Sequence, residues 1–158
     1  VIVEEGAEAT RTRLLDGDVV VCITGAKTGN VAVCTSVPEP AYVNQHLCLI
    51  RPTADILPSF LGATLKGRIG QIQFELSQYG LKQGLSLENV RETLVILPPL
   101  PEQSAIIAFI ASETARLEAL TAEATRGIAL LKERRSALIS AAVTGKIDVR
   151  HLAVAEAA

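Results

Sequence analysis

The sequence predicts an α+β chain, a mixed β-rich first part followed by one long coiled-coil-forming α-helix. Three observations carry that prediction. Residues 1–98 are dense in β-branched residues, Gly and Pro. After Pro101, the stretch to Val143 contains Gly127 as its single breaker and is rich in Ala, Glu, Leu and Arg. Within the first part, apolar runs of strand length alternate with turns built on Gly, Pro and Asp. The predicted organisation is a β-rich domain at 1–98, a long helix at 99–145 and a C-terminal tail at 146–158.

Asp16-Gly17 makes a turn before Val19–Ile23, a continuous apolar run expected to be a strand buried on both faces. Thr24–Asn30 is a glycine-bearing loop and Val31–Thr35 returns as a second strand, so the pair reads as a hairpin with a long tip. Pro38 and Pro40 interrupt the pattern, Ala41–Val43 resume it, and His46–Ile50 gives a third strand ending at Arg51-Pro52. Pro58 suits the first turn of a helix that carries Phe60, Leu61 and Leu65 on one face. Ile69, Ile72 and Leu76 continue a second helical stretch after Gly67. A polar, flexible segment is expected from Ser77 to Gly84, a short turn capped by Ser86 runs to Arg91, and Thr93–Leu97 reads as a last strand into Pro98-Pro99.

The long helix begins where Pro101 and Glu102 favour initiation, and Gly145 is placed to end it in the left-handed conformation. Steps of four and three residues from Ile110 pick out Thr114, Leu117, Thr121, Ala124, Ile128, Leu131, Arg135, Leu138 and Ala142, and seven of these ten positions are apolar. Ile110, Leu117, Ile128, Leu131, Arg135 and Leu138 are therefore the expected partner-binding residues. Leu120, Leu130 and Ile139 lie off that seam and widen the apolar face. A helix this long needs a partner.

Charge and composition exclude several functions. Fifteen Lys and Arg stand against 17 Asp and Glu, divided as 8 against 10 in residues 1–98 and 7 against 7 thereafter. No bulk basic field exists to hold nucleic acid non-specifically. Two Tyr, three Phe and no Trp are too few for a platform that stacks single-stranded bases. Cys22, Cys34 and Cys48 form no C-x-x-C pair and read as small buried thiols in a reducing compartment, and His46 and His151 are too few to complete a metal site with them. His46 reads as a packed or surface histidine. With no apolar run of about 18 residues and no basic-then-apolar leader, the expectation is a cytoplasmic protein without a membrane span. The chain opens at Val1 with no Met, which leaves open a fragment, a processed form or a Val-coded start.

Gly25-Ala26-Lys27-Thr28-Gly29 superficially matches a phosphate-binding loop, but Lys27 precedes the second glycine and a strand, not a helix, follows. A solvated hairpin tip is the plain reading. The functional one is a tip that reaches a DNA groove or phosphate, with Lys27 and Thr28 as donors. Asn44-Gln45 at a strand start and Lys82-Gln83 in the polar segment supply amide and ammonium groups of the kind that read base edges or phosphates, although polar loop residues are common. No G-x-S-x-G, H-E-x-x-H or carboxylate pair around a nucleophile is present, and Pro98-Pro99 lacks the flanking residues of an adenine methyltransferase motif. The sequence reads as non-catalytic.

Several segments make an ordered set: Leu15–Val20 with the Gly25–Gly29 loop, Val43-Asn44-Gln45, Ser86–Val90, Val95–Gln103 with its P-P-L-P-E-Q junction, Arg134–Ile139, and the ending A-V-T-G-K-I-D-V-R from Ala142 to Arg150. In that order they resemble the specificity subunit of type I restriction-modification systems, in the later part of a target-recognition domain and the helix that follows it. The resemblance spans Leu14 to Arg150. It implies a fold in which two such domains, each followed by a long helix, are held apart by antiparallel pairing of the helices. It implies that each domain reads one half of a split site in double-stranded DNA. Methyltransferase subunits and a motor subunit that cleaves would be the partners, and S-adenosylmethionine, ATP and magnesium would belong to them, so that this chain needs no cofactor. The sequence departs from the full pattern in having one helix and only the back portion of one domain. A helical scaffold or truncated remnant that binds partner subunits and never touches DNA is the alternative, and a recognition segment of a fused restriction enzyme is a third reading.

Overall fold

The computed structural model describes residues 7–78 and 84–150. A short helix that sequence reading did not anticipate, α1 (Ala7–Thr12), leads into Arg13, whose backbone bridges that of Tyr42. Strands β1 (Val19–Cys22), β2 (Val31–Val33) and β3 (Leu47–Ile50) form one antiparallel sheet in the order β2-β1-β3. The expected hairpin is present, with Val19 opposite Val33 and Val21 opposite Val31. β3 takes the other edge of β1, with Val19 opposite Ile50 and Cys22 opposite Leu47. Residues 41–43 contribute only the Tyr42 bridge.

Helices α2 (Pro58–Lys66), α3 (Arg68–Ser77) and α4 (Leu87–Arg91) follow. α2 packs against β1 and β2, and α3 against α2 and α4. The core lies between the sheet and these helices, where Val19, Val21, Val31 and Cys48 meet Leu61, Leu65 and Phe74. β1 is not buried on both faces as its unbroken apolar run suggested. Val19 and Val21 are buried and Val20 and Cys22 only half-buried, so one face of the strand carries the core. At Gly62 an added Cβ would overlap Val33 Cγ2, so the missing side chain is what lets α2 approach β2.

The second helical stretch expected at Ile69, Ile72 and Leu76 forms as α3, and two other expectations are corrected. Ile69, Ile72 and Leu76 mark the exposed side of α3; Gly70 and Phe74 are the buried residues. A Cβ at Gly70 would come within 2.7 Å of the Leu65 backbone, and Phe74 is the larger apolar group to bury, so that face turns inward. Thr93–Leu97 is not a strand. Its Leu94 N–H donates to Gln73 Oε1 at 2.8 Å and its carbonyl accepts from Gln73 Nε2 at 3.1 Å, so a side-chain amide occupies the groups a neighbouring strand would use. Of the three free thiols only Cys48 is buried; Cys22 and Cys34 are half-buried, and Cys22 Sγ donates to the Thr24 carbonyl. Burial pushes the Cys48 thiol above its ordinary pKa, and burial together with Asp18 and Asp16 does the same at Cys34.

Ser86 caps α4 as expected and does so reciprocally: its Oγ accepts from Asn89 N–H while the Asn89 side chain accepts from Ser86 N–H. α5 runs from Leu100 to Val143, 44 residues or about 66 Å at 1.5 Å per residue. Gly145 follows it at φ +72°, the left-handed stop that its type predicted. The chain divides into two units, residues 1–110 and 111–158. No helix among the described residues is long and apolar enough to cross a membrane.

Candidate functional site

The loop Thr24–Asn30 is built for a tight reversal. Gly25 and Gly29 take φ of +80° and +89°, and Cys22 exchanges backbone hydrogen bonds with the loop's far end, its N–H donating to the Asn30 carbonyl and its carbonyl accepting from Gly29 N–H, both at 2.8 Å. Thr28 closes the turn with its hydroxyl and its N–H, both donating to the Gly25 carbonyl at 2.7 and 3.1 Å. Its hydroxyl proton is thereby committed inside the loop. Lys27 stands exposed at the tip, with no ion pair among the described residues. Beneath the loop, Gln71 Nε2 donates to Gly29 O at 3.0 Å and to Leu65 O at 2.8 Å, tying the base of the tip to the α2–α3 corner.

β1 does not stop interacting where it leaves β2. Ile23 N–H donates to the His46 carbonyl at 2.9 Å, and the Ile23 carbonyl accepts from Leu85 N–H at 2.8 Å. Thr24 forms a backbone bridge to Gly84, and its Oγ1 lies 2.6 Å from His46 Nδ1. The extension of β1 therefore gathers the tip, the 44–46 turn and the Gly84 bridge to one end of the sheet. Asn44, Gln45 and His46 are all exposed there. Asn44 Oδ1 accepts from His46 N–H at 3.0 Å, and the Asn44 carbonyl accepts from Leu47 N–H at 3.1 Å, a side-chain-closed turn before β3. Gln45 Nε2 lies 3.4 Å from His46 Nε2. Lys82 and Gln83 lie outside the described residues, next to Gly84 in the chain.

Sequence reading passed over the most buried polar side chains of this unit. Asp18, 1% exposed, takes Arg51 in a two-pronged contact, Nε to Oδ1 at 2.8 Å and a terminal nitrogen to Oδ2 at 2.7 Å, and its Oδ2 also accepts from Leu15 N–H. Arg51's hydrogen bonds hold the Asp18 carboxyl below its ordinary pKa, against the opposing effect of burial. The pair continues the β1–β3 register, in which Val19 faces Ile50, by one step. Gln103 is fully buried in the first turn of α5, where Oε1 accepts from Leu57 N–H at 2.8 Å and Nε2 donates to the carbonyls of Asp55 and Pro98 at 2.9 and 2.8 Å. The P-P-L-P-E-Q motif contained it. The signal was present but its partner 46 residues earlier was not.

Along α5, Ile110, Leu117, Ile128, Leu131, Arg135 and Leu138 are all exposed. Thr121, a polar member of the same seam, donates its hydroxyl to the Leu117 carbonyl at 2.8 Å, which removes an unpaired donor from the apolar stripe. Glu113 and Arg116 pair at 3.6 Å along the helix. Ile139 is four residues beyond Arg135 and at 3.6 residues per turn shares the seam face, whereas Leu130 falls on the opposite side.

Residues 1–125 match the family model described as type I restriction modification DNA specificity domain. The chain is also similar to the type I restriction enzyme EcoBI specificity subunit of Escherichia coli, 33% identical over 110 residues that make up 69% of this chain and 23% of that protein. The chain thus spans about a quarter of the length of this curated relative.

Proposed function

The chain belongs to the family of type I restriction modification DNA specificity domains, and on that premise we propose that its first unit reads sequence in double-stranded DNA, as one half of a split site. The gathering of the Lys27 tip, the Asn44–His46 turn and the Gly84 bridge at one end of the sheet is the observation that supports this reading. Lys27 and Lys82 contact phosphate, while the 44–46 turn and the Gln83 carboxamide reach base edges. α5 pairs through its exposed apolar seam with a like helix from another repeat or a second copy, and docks methyltransferase subunits. The chain itself does no chemistry. Methylation, cleavage, S-adenosylmethionine, ATP and magnesium are assigned to the partner subunits.

Reconstitution with methyltransferase subunits tests the reading. Lys27→Ala and Lys82→Ala weaken binding across all duplexes and each lower the salt slope by about 1, since each removes one phosphate contact. Unchanged affinity and site choice in both variants and in Gln45→Ala would refute the DNA-reading role and leave the helical scaffold.

A further inference from the structure

The 44–46 turn holds two carboxamides, and they are not equivalent. The oxygen of Asn44 accepts from His46 N–H, at 3.0 Å, so its carboxamide is tied down against the backbone in closing the turn. Gln45 makes no such backbone bond among the described residues. Its Nε2 carries only hydrogens, so at the 3.4 Å contact it donates and His46 Nε2 accepts. An imidazole nitrogen that accepts leaves the proton on the other, so His46 Nδ1–H donates to Thr24 Oγ1 across 2.6 Å. Thr24 is in turn fixed by its backbone bridge to Gly84. The result is a strut that runs from the extension of β1 through the imidazole to one hydrogen of Gln45. What Gln45 keeps for a ligand is Oε1 and its second N–H, side by side. That acceptor–donor pair matches the N6 and N7 edge of adenine in the major groove.

We propose that Gln45 is the base-reading side chain of this turn, that the base is adenine, and that Asn44, His46 and Thr24 are positioning residues that aim its carboxamide. The inference rests on the DNA-reading function proposed above. Its test is binding-site selection from a randomised duplex pool by the reconstituted assembly.

The wild type selects a motif that includes an A·T pair, and Gln45→Ala loses preference at that pair by roughly tenfold or more while keeping the others. His46→Ala loses the same pair and no other. His46→Asn, which keeps a polar atom facing Thr24 but falls short of Gln45, holds overall affinity and still loses that pair. Asn44→Asp preserves the acceptor for His46 N–H, so the motif is unchanged while the added negative charge lowers affinity for every duplex alike. Full preference retained in Gln45→Ala would overturn the proposal. So would full preference at the Gln45-dependent pair in His46→Ala, or a new preferred base in Asn44→Asp. A wild-type pool with no motif would instead refute the DNA-reading function, and this assignment with it.

Discussion

Replacing Gln103 with alanine strips three backbone groups of their partner at once: the Leu57 N–H that opens α2 and the carbonyls of Asp55 and Pro98. A lost hydrogen bond costs about 1 kcal/mol net, and a group left unpaired away from water about 1–3 kcal/mol. Asp55 is exposed, so water reaches its carbonyl and that loss falls at the low end; Leu57 and Pro98 are half-covered. Together these give a destabilisation of about 3 kcal/mol, a large part of the ~5–15 kcal/mol that holds a domain folded. Far-UV dichroism is the wrong assay, because the 44 residues of α5 dominate it. Amide exchange at Val19 and Val21, in the middle strand, reports the opening of the first unit itself. Their protection should fall by ~3 kcal/mol, and a change under about 0.5 kcal/mol would refute the reasoning. Gln103→Glu sharpens the test. Its carboxylate faces two carbonyls with no proton to offer, so its folded-state pKa is raised above the unfolded value. The variant is then least stable at neutral pH and regains protection as the pH is lowered and a donor returns.

Asp18→Asn should cost about 2–3 kcal/mol near neutral pH, less than a fully buried pair because Arg51 is half in solvent. Since the folded-state pKa of Asp18 lies below its ordinary 3.8, the wild type keeps that stability above pH 3.8 and loses it as pH falls through the depressed value; the Asn variant should lack this part of the acid transition in a pH series of denaturation midpoints. Gly62→Ala gains up to about 1 kcal/mol of helix propensity but meets Val33, an overlap costing about 1–3 kcal/mol, so it should destabilise the wild type and stabilise a Val33→Ala background. A double-mutant cycle with no coupling between the two sites would contradict the close approach of α2 to β2. Leu131→Asp puts an unpaired charge in the seam of α5 and should abolish helix pairing by sedimentation; an unchanged association state would show the seam to be misplaced.

What was legible in the sequence is what neighbours in the chain decide. Forty-three residues without an interior Pro and with one Gly specify a helix whichever partner it meets, and Gly145 specifies its end. Asp16-Gly17, the paired glycines at 25 and 29 and the flanking valines likewise specify a hairpin, because turn conformation and strand alternation are short-range properties. The candidate loops could be named for the same reason, as polar residues at turns.

Tertiary structure decided which of these surfaces and side chains are free. α3 offers two possible inner faces, and the choice of Phe74 over Ile69, Ile72 and Leu76 depended on the fit of Gly70 against Leu65. Thr93–Leu97 has the composition of a strand, yet the Gln73 side chain took its hydrogen-bonding groups. Asn44 and Gln45 look alike in sequence, and only the folded turn ties one carboxamide to the backbone and sets the other against the His46 ring. The long separations have the same cause. Asp18 and Arg51, Thr24 and His46, and Leu57 and Gln103 are joined by 33, 22 and 46 residues of chain, and a buried polar group takes whichever partner the packed core brings within reach, a selection that no local pattern encodes.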